Sequence, residues 1–166
     1  MSRLGKVACS IIIFATIFIA GCAAPTRAIV SNESEVSLWR GRLAVRVESE
    51  QPQAFSAGFE LTGNAQAGEL TLYTPLGNTA AALSWSPQTA VMRSNGDVRH
   101  FESLDALIKQ AVGTEIPVVA LFAWLAGDNM AVAGWSADLS DHANGRITAR
   151  RTQPAPLAEL RLVLEK

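Results

Sequence analysis

The sequence predicts a mainly β domain of the α+β class: one long, strongly curved antiparallel sheet with two short helices inserted about two-thirds of the way along. Three observations predict it. From Trp39 onward, apolar and polar residues alternate in short runs, which is the period of half-buried strands. The runs are separated by brief turn signals (Gly63-Asn64, Ser86-Pro87, Asn95-Gly96-Asp97), too short to carry crossovers between parallel strands. Between Ser103 and Gly127 the period becomes helical, and afterwards it returns to two.

The elements follow in order. Leu43, Val45 and Val47 alternate with Arg42, Arg46 and Glu48 in a first strand that begins near Trp39. Phe55, Ala57, Phe59 and Leu61 repeat the pattern. Leu70, Leu72 and Thr74 make a third strand after Gly68, and Ala81, Leu83 and Trp85 a fourth. Further strands around Val91 and over residues 98–101 flank Asn95-Gly96-Asp97, so the first six strands read as an antiparallel meander.

Ser103 then stands as an N-cap, with Asp105 in the first turn, Leu104, Leu107, Ile108 and Ala111 at helical spacing, and Gly113 just past the end. In a second helix Pro117 suits the first turn, Val118, Leu121, Phe122, Trp124 and Leu125 crowd nearly the whole circumference, and Gly127 stops it. A helix apolar on so many sides is buried, or faces something apolar on more than one side. Beyond Gly134-Trp135, strands at 137–139 and 147–149 are expected around an Asn144-Gly145 hairpin turn. Leu160, Leu162 and Leu164 close the sheet after Pro154 and Pro156. Helices laid over an open curved sheet leave a concavity, and its inward candidates are all apolar.

The N-terminus carries a separate message. Arg3 and Lys6 precede an apolar stretch at residues 7–20, which ends in Ile19-Ala20-Gly21-Cys22. This is the layout of a signal peptide, and its core is short of the ~20 residues of a bilayer span. Two small residues before a cysteine resemble a bacterial lipobox. The expected organisation is a removed signal peptide at 1–21, a lipid-anchored flexible tether at 22–38 and a folded domain at 39–166, with Cys22 the lipidated first residue of the mature chain. The alternative is an uncleaved anchor helix with a chance cysteine. Cys9 lies in the segment to be removed, so the mature chain has no pair for an internal disulfide. By resemblance to Gram-negative lipoproteins, Ala23 in place of Asp after the lipidated cysteine points to the outer membrane, on its periplasmic face.

Losing Arg3 and Lys6 from 14 Lys and Arg leaves 12 basic residues against 15 acidic ones, a net charge near −3. That balance, with no Lys/Arg cluster, argues against a nucleic-acid binder. Arg146, Arg150 and Arg151 read as the solvated side of a hairpin. His100 and His142, the only histidines, both read as solvated and without ligands at metal-binding spacing. No nucleophile elbow, phosphate loop or zinc-protease motif is present, so neither an enzyme nor a cofactor or metal is expected.

Three segments resemble the LolB family: Trp39-Arg40-Gly41-Arg42-Leu43-Ala44-Val45; Leu70-Thr71-Leu72-Tyr73-Thr74-Pro75-Leu76-Gly77-Asn78-Thr79; and Gly113-Thr114-Glu115-Ile116-Pro117 through Leu121, Trp124-Leu125 and Gly127 to Gly134-Trp135. Their order and spacing, with the lipobox, extend the resemblance over essentially the whole chain, although the chain is short for the family. The resemblance implies a curved, incompletely closed antiparallel β-barrel over an apolar cavity lidded by helices. It also implies a receptor that takes acylated client lipoproteins from the periplasmic carrier LolA and inserts them into the outer membrane, acting as a monomer. Cavity candidates are Leu43, Val45, Phe55, Phe59, Leu61, Leu72, Leu83, Trp85, Leu107, Leu121, Phe122, Trp124 and Leu125. For these, as for Trp39 and Trp135, plain core and cavity wall are equally compatible with the periodicity.

Leu76, between Pro75 and Gly77, stands at a turn tip, an unusual place for a large apolar side chain. Read alone it either folds back onto the core or projects; the resemblance implies a membrane insertion loop of Pro75, Leu76 and Gly77. Two readings of another class remain: a structural outer-membrane lipoprotein whose filled β core serves protein contacts, and a lipid-modifying enzyme.

Overall fold

The computed structural model describes residues 37–165; the expected signal peptide, Cys22 and nearly all of the expected tether lie outside the described residues. Nine strands form one antiparallel sheet: β1 (Leu38–Glu48), β2 (Gln53–Gly63), β3 (Gly68–Tyr73), β4 (Thr79–Ser86), β5 (Thr89–Ser94), β6 (Asp97–Phe101), β7 (Trp135–Asp138), β8 (Arg146–Arg151) and β9 (Leu157–Leu164). The spatial order is β6-β5-β4-β3-β2-β1-β9-β8-β7, so the sheet is not closed into a barrel and β6 and β7 are its edges. The six-strand meander is as expected. The last three strands join it on the far side of β1, where β9 pairs from Gly41↔Leu164 to Glu48↔Leu157.

The alternation in the sequence becomes the two faces of the sheet. In β1, Leu43, Val45 and Val47 are buried while Arg42, Arg46 and Glu48 are exposed, and β2, β3, β4, β8 and β9 place their own alternate residues on the same inner face. Strand β1 begins at Leu38, inside the stretch expected as tether, because Ser37 already pairs through its carbonyl with the Gly63 N–H. Thr74 leaves β3 for the turn, where its N–H donates to Asn78.

Helix α1 (Leu104–Val112) has the expected caps: Ser103 Oγ accepts from the Ala106 N–H at 3.1 Å, and Gly113, left-handed at φ 82°, closes the end on Lys109. It packs on β4, β5 and β6. Helix α2 (Val118–Leu125) follows Pro117, and its last carbonyls are taken by the N–H groups of Ala126 and Gly127. Val118, Ala120, Trp124 and Leu125 are buried, whereas Val119 is 58% exposed, so the helix is not buried all round.

The expected hairpin is present, with β7 and β8 paired antiparallel, but its turn at Asn144-Gly145 is corrected. Residues 139–145 form a longer connection containing a short 3₁₀ turn at His142–Asn144, in which only Gly145 adopts a positive φ. A two-residue type I′ turn needs positive φ at both central positions, a condition met instead at Asn95 and Gly96. Asp141 explains the difference, for its carbonyl takes the N–H groups of both Asn144 and Arg146 and holds the chain in the wider loop.

Candidate lipid-binding cavity

The inner face of the sheet and the two helices enclose a cavity of about 40 Å³ with a wholly apolar wall. Strands contribute Leu43 and Val45 from β1, Phe59 and Leu61 from β2, Leu70 from β3, Trp85 from β4, and Leu160 and Leu162 from β9. The helical side is built from Ile108 and Val112 of α1, Ile116 of the connection, and Val118, Leu121, Phe122 and Leu125 of α2. Phe122 sits between two indoles, edge-on to Trp39 at 5.5 Å and 6.4 Å from Trp85. It closes the cavity where α2 meets the start of β1.

Of the thirteen residues expected at the wall, Leu43, Val45, Phe59, Leu61, Trp85, Leu121, Phe122 and Leu125 are there, and five are not. Leu72, Leu83 and Leu107 are fully buried in the packed core and line no part of the cavity. Trp124 is completely buried away from the cavity: its indole N–H donates to the Met130 carbonyl at 3.1 Å and its ring packs on Trp135 at 6.2 Å. Phe55, half-buried near the start of β2, lines an open groove of about 480 Å³ outside the cavity with Val45, Val47 and residues 111–113. Leu70, Ile108, Val112, Ile116, Val118, Leu160 and Leu162 were not singled out. Their signal was present, in the alternation of β3 and β9 and the i, i+4 pair Ile108 and Val112 on α1.

Leu76 does not fold back. It is 87% exposed at the tip of the β3–β4 hairpin. The turn is held without its side chain, by Thr74 N–H to the Asn78 carbonyl, Gly77 N–H to the Thr74 carbonyl, and Asn78 N–H to Thr74 Oγ1. Gly77 at φ 82° takes a conformation that a residue with a Cβ adopts only under strain, which fixes the path beyond the tip.

Two readings of polar residues are corrected. His142 is half-buried rather than solvated, with Nε2 3.0 Å from the Leu125 carbonyl and its ring against Gly127, so it secures the C-terminal end of α2. Arg151 is only 7% exposed: Nε and Nη2 donate to the Pro156 carbonyl at 3.1 and 2.9 Å and the guanidinium lies over Trp135. Arg146 and Arg150 are solvated as expected, paired with Asp141 and Glu159. The guanidinium of Arg150, and then that of Arg161, hold the Glu159 carboxyl below the usual carboxylate range. Among the described residues no group of three His, Cys, Asp or Glu is placed to hold a metal, and no helix is long and apolar enough to cross a membrane.

Residues 38–155, the sheet from β1 through β8 with both helices, match the family model described as "Outer membrane lipoprotein LolB". The chain belongs to the LolB family. Among its relatives is the outer-membrane lipoprotein LolB of Bordetella pertussis, 36% identical over an alignment that covers 88% of this chain and 86% of the relative. The LolB of Bordetella petrii is 29% identical, covering 89% and 87%, and that of Cupriavidus metallidurans 30% identical, covering 78% and 65%. The three segments that resemble LolB therefore identified the family, and the incomplete barrel with a helical cover is the architecture the structure shows.

Proposed function

We propose that this chain is an outer-membrane lipoprotein receptor, anchored through Cys22 on the periplasmic face, that accepts acylated lipoproteins from the carrier LolA and inserts them into the outer membrane. The observation that carries the reading is a cavity walled only by apolar side chains under α2, in a chain of the LolB family. At about 0.8 kcal/mol per methylene, an acyl chain of roughly fifteen methylenes costs on the order of 12 kcal/mol to expose to water. A protein bearing such chains needs continuous cover on its way between membranes. A receptor that holds the chains more favourably than the carrier and less favourably than the bilayer lets transfer run downhill without nucleotide.

The cavity volume sets a condition on this mechanism. About 40 Å³ is room for no more than a few water molecules, whereas pockets that enclose a small ligand run to about 300–1,000 Å³. Acyl chains therefore enter only as the cover moves. Helix α2 is suited to that: it contributes Leu121, Phe122 and Leu125 to the wall, and left-handed glycines, Gly113 and Gly127, bracket the segment that contains it.

The same small volume favours a second reading, a structural outer-membrane lipoprotein with a filled β core. One experiment separates them. Triacylated cysteine amide with brominated acyl chains is titrated against the protein. Saturable quenching of tryptophan emission, through Trp85 in the cavity wall, supports the receptor, and its absence at any concentration leaves the structural reading.

A further inference from the structure

Strand β2 is paired along its whole length by β1 but along only its second half by β3. The β1 register runs from Val47↔Gln53 to Leu38↔Thr62, whereas the β3 register starts at Gly58↔Tyr73. The chain turns away at Thr74 into the Leu76 hairpin, so residues 53–57 have a neighbouring strand on one side only. The phase of the ladder says which groups are left open. Gly63 N–H donates to the Ser37 carbonyl, and the register between β1 and β2 is unbroken, so the odd-numbered residues of β2 bond to β1 and the even-numbered ones face away. Ala54 and Ser56 thus direct N–H and C=O groups out of the sheet, and among the described residues no backbone group meets them there.

Free edges are ordinarily blunted by charge or by shortness. Of the outer edges here, β6 carries Asp97, Arg99 and His100, and β7 is four residues long. The open half of β2, Gln53-Ala54-Phe55-Ser56-Ala57, has no charge and no proline, and its outward side chains are small. The groove of about 480 Å³ runs beside Gln53, Ala54 and Phe55 and shares Val45 and Val112 with the cavity. At the other end, Ser56 and Gly58 share a hollow of about 200 Å³ with Thr74, Pro75 and Gly77. The open edge therefore joins the side of the cavity to the Leu76 hairpin.

We infer that this edge binds, as an added antiparallel or parallel strand, the extended N-terminal peptide of the lipoprotein whose acyl chains occupy the cavity. The inference rests on the receptor reading above. Peptide and lipid are joined at one cysteine, so a client whose chains lie against Val45 and Val112 has its first residues in the adjoining groove. Main-chain pairing is indifferent to side chains, which suits a receptor for clients of different sequence. This chain's own N-terminal segment is a poorer occupant. It enters the domain at Ser37 beside Gly63, ten residues along β2 from Gln53, roughly 33 Å away. Doubling back over that distance would use most of residues 23–36 and leave little to reach a bilayer.

The test uses the full chain in dilute detergent and three probes with brominated acyl chains: triacylated cysteine amide, the same lipid followed by six polar residues, and that peptide N-methylated at alternate residues. Tryptophan quenching reads cavity occupancy, and amide hydrogen exchange at Ala54 and Ser56 reads the edge. The expected result is exchange slowed about tenfold by the peptide-bearing probe alone, with about tenfold tighter binding than its N-methylated counterpart. Ser56→Pro, which removes an outward N–H and spares the β1 ladder, should erase that difference and leave binding of the cysteine amide unchanged. Equal quenching by all three probes with unaltered exchange overturns the edge proposal and leaves the receptor reading standing. No quenching by any probe overturns both. A concentration-dependent dimer that Ser56→Pro abolishes would reassign the edge to a second copy of this chain and overturn the client as its occupant.

Discussion

On the proposed receptor function, Leu76→Glu should separate holding a client from delivering it. The side chain is 87% exposed, the hairpin's hydrogen bonds do not use it, and nothing lies within 4 Å of the Cβ position at neighbouring Gly77. The substitution should therefore change folding stability by no more than about 0.5 kcal/mol, the range for surface sites. Burying a leucine in the acyl region contributes roughly 1.5–3 kcal/mol, which is about a 10- to 150-fold bias toward the membrane-engaged orientation. Glutamate forfeits all of it. The assay has two steps: acceptance of a client from loaded carrier, measured by co-precipitation, and recovery of that client with floated liposomes. Acceptance should match the parent protein and liposome recovery should fall by at least about tenfold. A domain that unfolds would show that Leu76 supports the core, and full recovery with liposomes would show that the hairpin has no part in delivery.

Trp124→Arg places an unpaired charge at a completely buried site, and a loss of at least about 4 kcal/mol, roughly 10 °C or more in Tm by calorimetry, is expected. Leu121→Asp, on the half-buried cavity side of the same helix, should fold at lower cost yet lose brominated-lipid quenching; unchanged quenching would remove α2 from the binding wall. His142→Ala deletes the hydrogen bond to the Leu125 carbonyl and should cost about 1 kcal/mol, with faster hydrogen exchange confined to α2 and the connection after it. Glu159→Gln tests a pH effect. A carboxyl held low in the folded state adds stability above its unfolded value and loses it as pH falls through the folded value, so the variant should be about 0.5–1 kcal/mol less stable at neutral pH and indistinguishable in acid.

Local pattern carried the strands because one face of the sheet is buried: Leu43, Val45 and Val47 against Arg42, Arg46 and Glu48 leave no ambiguity of period or face. Capping chemistry fixed α1 equally well through Ser103 and Gly113. What the pattern could not supply was which stretch of the inner face each helix covers. Leu83 and Trp85 are alternate residues of one strand with the same inward direction, yet the first is packed into the core and a void remains beside the second. Arg151 and His142 were misread for a related reason. Their polar atoms are met by main-chain carbonyls that the folded chain brings alongside, Pro156 five residues after Arg151 and Leu125 seventeen before His142, and side-chain pattern says nothing of such partners. Leu76 was undecided between core and tip until the hairpin bonds showed a turn that needs no help from its side chain.

The pairing of β1 with β9 has a consequence for how the chain acquires this structure. Gly41 meets Leu164, nearly the full length of the described domain apart, and β1 is an interior strand whose second neighbour is the last strand to be made. Chain entropy makes such distant pairings late and slow. A polypeptide threaded N-terminus first can assemble the meander β1 to β6, but it leaves the apolar inner edge of that half-sheet unmatched until β9 emerges. Completion of the wall is thus tied to arrival of the C-terminal residues, and a truncation that removes β9 should leave an aggregation-prone half-sheet instead of a smaller working domain.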